Sequence, residues 1–205
     1  MKCKVDLYHV YNKGKLHKVI VFPRIEDAWA FDDYPEDDQL MVDGCPEFMK
    51  QVQFAMGALI NDPSIIAYFP IKHKNCTIYG AHMTYDAVMM RPEVQFKCGH
   101  WYDIKPKLDM KHWVGKYTIN YDEKKLDDLF EKKYSGKHWN IDYDNVKYHL
   151  IGDTAFFTIP KSMCILYETD INDSIKTHTP DKDYGTFCNI GYIVNTKMSD
   201  TCKSW

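Results

Sequence analysis

Apolar residues in this chain come in short runs cut by Gly, Pro, Asn or Asp, and in only two places do they spread at three- and four-residue steps. Short runs of that kind are strand signals, whereas the stepped pattern marks the buried face of a helix. The spacing therefore predicts a single α+β domain over residues 1–205, with a mixed or mostly antiparallel sheet and two main helices at about 46–60 and 123–134.

The opening reads as a hairpin. Residues 4–11 and 16–22 are rich in Val, Ile, Tyr and Leu around Asn12-Lys13-Gly14-Lys15, and Pro23 ends the second arm. In the first helix Pro46 suits the first position, Phe48, Val52, Ala55, Met56 and Leu59 share a face, and Asn61-Asp62-Pro63 stops it. Residues 64–71 and 76–83 read as a second hairpin around Lys72-His73-Lys74-Asn75. The alternation of Val94, Phe96 and Cys98 predicts a half-buried strand over 93–104, with another over 112–119. The second helix has Asn120 as its expected cap, Glu123 in the capping-box position and Leu126, Leu129, Phe130 and Tyr134 as its stripe. Further strands are expected at 155–159, 163–168 and 186–195, with a turn at 160–162, a long loop over 169–185 and a loose tail at 199–205. Lys111-His112-Trp113 recurs as Lys137-His138-Trp139, too short a match to carry a repeat.

Composition narrows the setting. With 27% charged and 15% aromatic residues and a net charge of −3, the chain is neither a disordered tail nor a rod. Its seven cysteines are odd in number and lack CxxC pairs, which points to reduced thiols. The N-terminus runs into charge where a signal peptide would be apolar, and no window reaches the roughly 20 apolar residues of a bilayer span. A cytoplasmic protein without membrane contact, cofactor or metal is the expectation. Only Arg24 and Arg91 are arginine, so the forked donor that suits guanine edges is scarce and direct nucleic-acid binding is disfavoured.

Charge is segregated along the chain. Glu26, Asp27, Asp32, Asp33, Glu36, Asp37, Asp38, Asp43 and Glu47 give residues 26–47 a charge of −9 with no Lys or Arg among them, leaving +6 for the rest. Trp29, Phe31 and Tyr34 lie inside that stretch as aromatic anchors. Anchors within a charged rim are the anatomy of a docking surface. Trp29, Phe31, Asp32, Asp33, Tyr34, Glu36, Asp37 and Asp38 are therefore the candidate residues for a basic protein partner.

Other motifs are thinner. Cys98 and His100 stand two apart as potential metal ligands, but burial of Cys98 as a small apolar group competes with that reading. His82 heads a His-x-Thr string that lacks the second copy a two-histidine phosphoesterase needs, and His178 lies in a polar stretch with Asp181 and Asp183. His82, His100 and His178 are the candidate acid–base groups if the protein is an enzyme. No phosphate loop, nucleophile elbow or zinc-hydrolase signature is present, which favours a binder.

Over its full length the lysine-rich, arginine-poor composition, full of Tyr, Asp, Asn and Met, resembles the small accessory proteins of T4-like tailed bacteriophages. The resemblance rests on composition and transfers no functional residue. It implies a protein made in an infected bacterial cytoplasm that binds and inhibits a host or defence protein, including nucleic-acid-modifying toxins. The expected function is thus non-enzymatic binding through the acidic surface, with a small enzyme acting on a nucleotide or modified nucleic acid as the alternative.

Overall fold

Strands β1 (Lys2–Asn12) and β2 (Lys15–Val21) form the expected hairpin, in register from Asp6 opposite Val21 to Asn12 opposite Lys15. Its two-residue turn holds Lys13 at φ 49° and Gly14 at φ 78°. Two positive φ angles match the right-handed twist of the strands, and Gly14 adopts its own at no steric cost. These coordinates belong to a computed structural model that describes residues 2–24, 32–34, 39–44, 46–70, 86–134, 146–177, 190–195 and 197–198.

The remaining strands are β3 (Asp32–Tyr34), β4 (Gln39–Gly44), β5 (Ile65–Phe69), β6 (Asp86–Met90), β7 (Trp113–Asn120), β8 (Lys147–Ile151), β9 (Thr154–Thr158), β10 (Ile190–Asn195) and β11 (Lys197–Met198). Eight of them make a mixed sheet in the order β11-β8-β9-β6-β5-β2-β1-β7, and β10-β4-β3 form a small second sheet. Pairing is parallel for β2 with β5, β6 with β9 and β8 with β11, and antiparallel elsewhere in the large sheet. The α+β class expected from the sequence is the one observed.

One face of the large sheet is covered by helices α1 (Pro46–Asn61), α3 (Glu123–Tyr134) and α4 (Lys161–Thr177). Phe22 stacks on Phe69 at 4.5 Å, and Phe48 meets Phe69 edge-on at 5.9 Å. The other face is covered by residues 92–108, a chain of 3-10 turns (Pro92–Val94, Cys98–His100, Lys105–Lys107) with the one-turn helix α2 (Trp101–Ile104). Trp101 is fully buried there, with ring centroids 4.9 Å from Tyr68 and 6.3 Å from Phe156. No helix among the described residues is long and apolar enough to cross a membrane.

Several expectations need correction, the first being the count of two main helices, since α4 is a third. Residues 93–104 are not a strand: Val94, Cys98, Trp101 and Ile104 are the buried positions, and steps of four and three override the short alternation read from Val94, Phe96 and Cys98. Residues 163–168 are not a strand, and 169–177 are not loop, because both belong to α4. Residues 163–169 are buried on every side, so the stretch lacks the polar face that reveals a helix. Pro160, expected in a turn, instead opens α4, its carbonyl accepting from the Met163 and Cys164 amides.

At α3 the cap is Asp122 rather than Asn120: its Oδ1 accepts from the Lys125 amide at 3.3 Å. Glu123 stands at the first helical position and accepts from Asn172 Nδ2 at 2.6 Å and Lys176 Nζ at 2.5 Å, clamping α3 to α4. β5 pairs antiparallel with β6, from Ile66 opposite Met90 to Phe69 opposite Ala87; the expected second arm at 76–83 and the expected tail at 199–205 lie outside the described residues.

Candidate functional site

The parallel strands β6 and β9 end on the same rung, Met90 opposite Thr158, and the chain after β6 swings over the covered face. Both residues line a cleft of about 560 Å³ outside those carboxyl ends. That is where open α/β sheets commonly place ligands, and the volume suits a small molecule. Four other segments complete it: Lys13 from the hairpin turn, residues 91–92 and 95–100, Asp103 of α2, and Lys147 with His149 of β8.

The cleft is cationic. Lys13, Arg91, Lys97 and Lys147 line it, against Asp103 as its one carboxylate, whose Oδ2 accepts from Asn12 Nδ2 at 3.4 Å. Arg91 is structural as well as electrostatic. Only 6% exposed, it donates from Nη1 to the Leu59 carbonyl at the end of α1, at 3.2 Å, and pairs through Nη2 with Glu93. Its buried Nε–H meets no acceptor among the described residues.

Two imidazoles, His100 and His149, line the cleft, and a third, His17, packs against Phe96 of its wall. His100 on the rim stands 3.1 Å from Lys13 Nζ through its Nε2. His149 is 8% exposed, and burial followed by the Lys147 charge holds its imidazole below the usual histidine range. His17 on β2 is held low by burial, then by Lys15 and His100, and packs edge-on against Phe96 at 5.5 Å. Among the described residues no carboxylate shifts His17 or His149, so none is seen to orient either as in a carboxylate-backed pair.

Backbone strain concentrates here too. Among the described residues two non-glycines, Lys13 and Gln95, hold left-handed backbone, each at φ 49°, and both line this cleft. Such a conformation costs about 1 kcal/mol or more per residue and gathers where a site over-determines it.

A second polar centre lies at the opposite end of the same face. Asp86, 4% exposed, accepts from Tyr68 Oη and from Lys105 Nζ, each at 2.8 Å. Burial and then the Asp86 charge raise the Tyr68 hydroxyl well above the usual tyrosine value. Burial alone would lower the Lys105 ammonium, but Asp86 holds it above the usual lysine value. This network fastens the covering segment to the sheet. The His112–Asp109 pair, at 2.9 Å, is local: Asp109 also accepts from the Lys111 and His112 amides, a side-chain-closed turn at an exposed loop.

Of the sequence-expected site residues, His100 and Cys98 line the cleft. His82 and His178 lie outside the described residues, as do Trp29, Phe31, Glu36, Asp37 and Asp38. Asp32, Asp33 and Tyr34 form β3 at the edge of the small sheet. The Cys98–His100 metal reading gains no support, since no three potential ligands converge among the described residues and Cys98 is buried in the apolar cluster that holds Trp101. Lys13, Arg91, Lys97, Lys147 and His149 were not expected from the sequence; they come from three separate segments, and the one local signal was the Lys-Gly turn. Compared with protein-family models, curated proteins and solved structures, the chain finds no match.

Proposed function

We propose that the protein is a non-enzymatic receptor for a phosphate-bearing small ligand of the nucleotide class, held in the cleft at the carboxyl ends of β6 and β9. The observation that supports this reading is the surplus of cations: besides Arg91, which is paired with Glu93, Lys13, Lys97 and Lys147 line a cavity of about 560 Å³ whose lining carboxylate is Asp103. Partly enclosed cations act on an anion more strongly than cations in open water, because the low-dielectric walls weaken screening. Phe96, part of the wall, adds an apolar surface beside the charges. Isothermal titration with ATP at low salt tests the reading. Lys97→Glu combined with Lys147→Glu should weaken binding about tenfold or more, roughly 1.4 kcal/mol, with an unchanged melting temperature. Absence of heat with ATP, GTP, CTP and UTP alike would contradict it.

A second reading rests on a different observation. The strand Asp32–Tyr34 is the edge of the small sheet, within the segment that carries −9. An acidic edge flanked by Trp29 and Phe31 in sequence suits a host or defence protein with a basic surface. Replacing Asp32, Asp33, Asp37 and Asp38 by Asn should slow capture of such a partner and flatten its salt dependence; unaltered association kinetics would remove the reading.

A further inference from the structure

The rim of the cleft holds a contact that a plain cation pocket does not need: Lys13 Nζ stands 3.1 Å from His100 Nε2. An ammonium has only donors, so Lys13 donates and Nε2 accepts, which puts the imidazole proton on Nδ1. The neutral ring is the form this contact requires. The charged and titratable groups that share the cleft with His100 are Lys13, Arg91, Lys97, Cys98, Asp103, Lys147 and His149, and His17 on β2 lies within electrostatic reach of it. Asp103, the carboxylate of that set, is already engaged by Asn12.

A phosphate entering between Lys13 and His100 replaces Nε2 as acceptor for the ammonium. Nε2 is then released to bind a proton, and the resulting imidazolium can donate to the same phosphate. We propose that Lys13 and His100 form a terminal-phosphate subsite that closes on a phosphomonoester dianion with uptake of one proton. This rests on the nucleotide reading of the cleft. The balance is simple: one solvent proton joins Nε2, and no covalent bond of the ligand forms or breaks. A terminal phosphate carries about −2 above its second pKa of about 6 and offers three strong acceptor oxygens, enough for two adjacent cationic donors. A phosphodiester has a single charge and one fewer free oxygen, so it gains less from the second donor.

The probes are adenosine 5′-monophosphate and its 3′,5′-cyclic diester, titrated calorimetrically in two phosphate-free buffers of different ionisation enthalpy. Between pH 8 and pH 7 the monoester stays largely dianionic, so a change of affinity in that window reports a proton taken up by the protein. The monophosphate should bind with net proton uptake and gain affinity as pH falls, by at most about tenfold per pH unit for one linked proton. The cyclic diester should bind more weakly without proton uptake, and His100→Gln should abolish the uptake seen with the monophosphate. Should both ligands bind equally and exchange no protons, the subsite is overturned while the cleft stands. If neither binds, both readings fall.

Discussion

The two faces of the large sheet are covered in different ways. On one, α1, α3 and α4 supply long regular elements and a continuous apolar core. On the other, seventeen residues of short turns span the strands, and buried polar groups hold them there. The regular face satisfies its own backbone and needs little else. The irregular face leaves room at one end for the cleft and anchors itself at the other through Asp86 and Lys105. The difference teaches why the cationic cleft forms on the irregular face. Turns deliver neighbouring residues in several directions, whereas a helix commits a whole stripe to packing.

That contrast can be broken most forcefully at Trp101. Its replacement by Ala removes the largest buried ring of the covering segment and should cost about 4 kcal/mol, read as a fall in urea midpoint. Next comes Asp86→Ala, which leaves the Tyr68 hydroxyl and the Lys105 ammonium without their shared acceptor. We expect a loss of about 3 kcal/mol, near the low end for a broken buried pair because the Lys105 side chain is 33% exposed. Hydrogen exchange should rise across residues 98–107 while α1 and α4 stay protected. Equal loss of protection on both faces would show that they are not separate units.

Two changes probe the helical face. A Cβ on Gly57 would come within 2.7 Å of the Tyr121 ring. Gly57→Ala should therefore destabilise by about 1 kcal/mol net, although the same change on an exposed helix surface would stabilise by a similar amount. Thermal melting decides the sign.

The smallest effect concerns Glu168, fully buried between α1 and α4 with Gln53 Nε2 donating to its Oε1 at 3.0 Å. Burial raises its carboxyl above the usual glutamate value, with the Gln53 and Tyr121 hydrogen bonds only partly offsetting that. The folded state thus holds the proton more tightly than the unfolded chain. The penalty is absent below the unfolded pKa, grows as pH rises above the usual glutamate range, and is complete above the folded value. Glu168→Gln should remove that slope from the pH dependence of stability. A mutant curve parallel to wild type would contradict the assignment.

Much of the helical face was legible in the sequence, because the residues from Phe48 to Leu59 in α1 repeat at helical steps and are buried in the structure. The limit was reached at α4, whose run from Met163 to Tyr167 is buried all round and so carries no periodicity. The covering segment misled through three alternating residues, and its true pattern emerges only when Trp101 and Ile104 are included. The cleft was the least legible part. His100 was noticeable by itself, but Lys13 and Lys147 lie 87 and 47 residues away in the chain, and only strand order brings all three together.

The most direct test is a ¹H–¹⁵N spectrum recorded through a titration with ATP. Saturable shifts confined to residues 13, 91–100, 103, 147–149 and 158 would establish a phosphate-ligand cleft at the ends of β6 and β9. Shifts centred on other residues, or a spectrum that does not change, would contradict it.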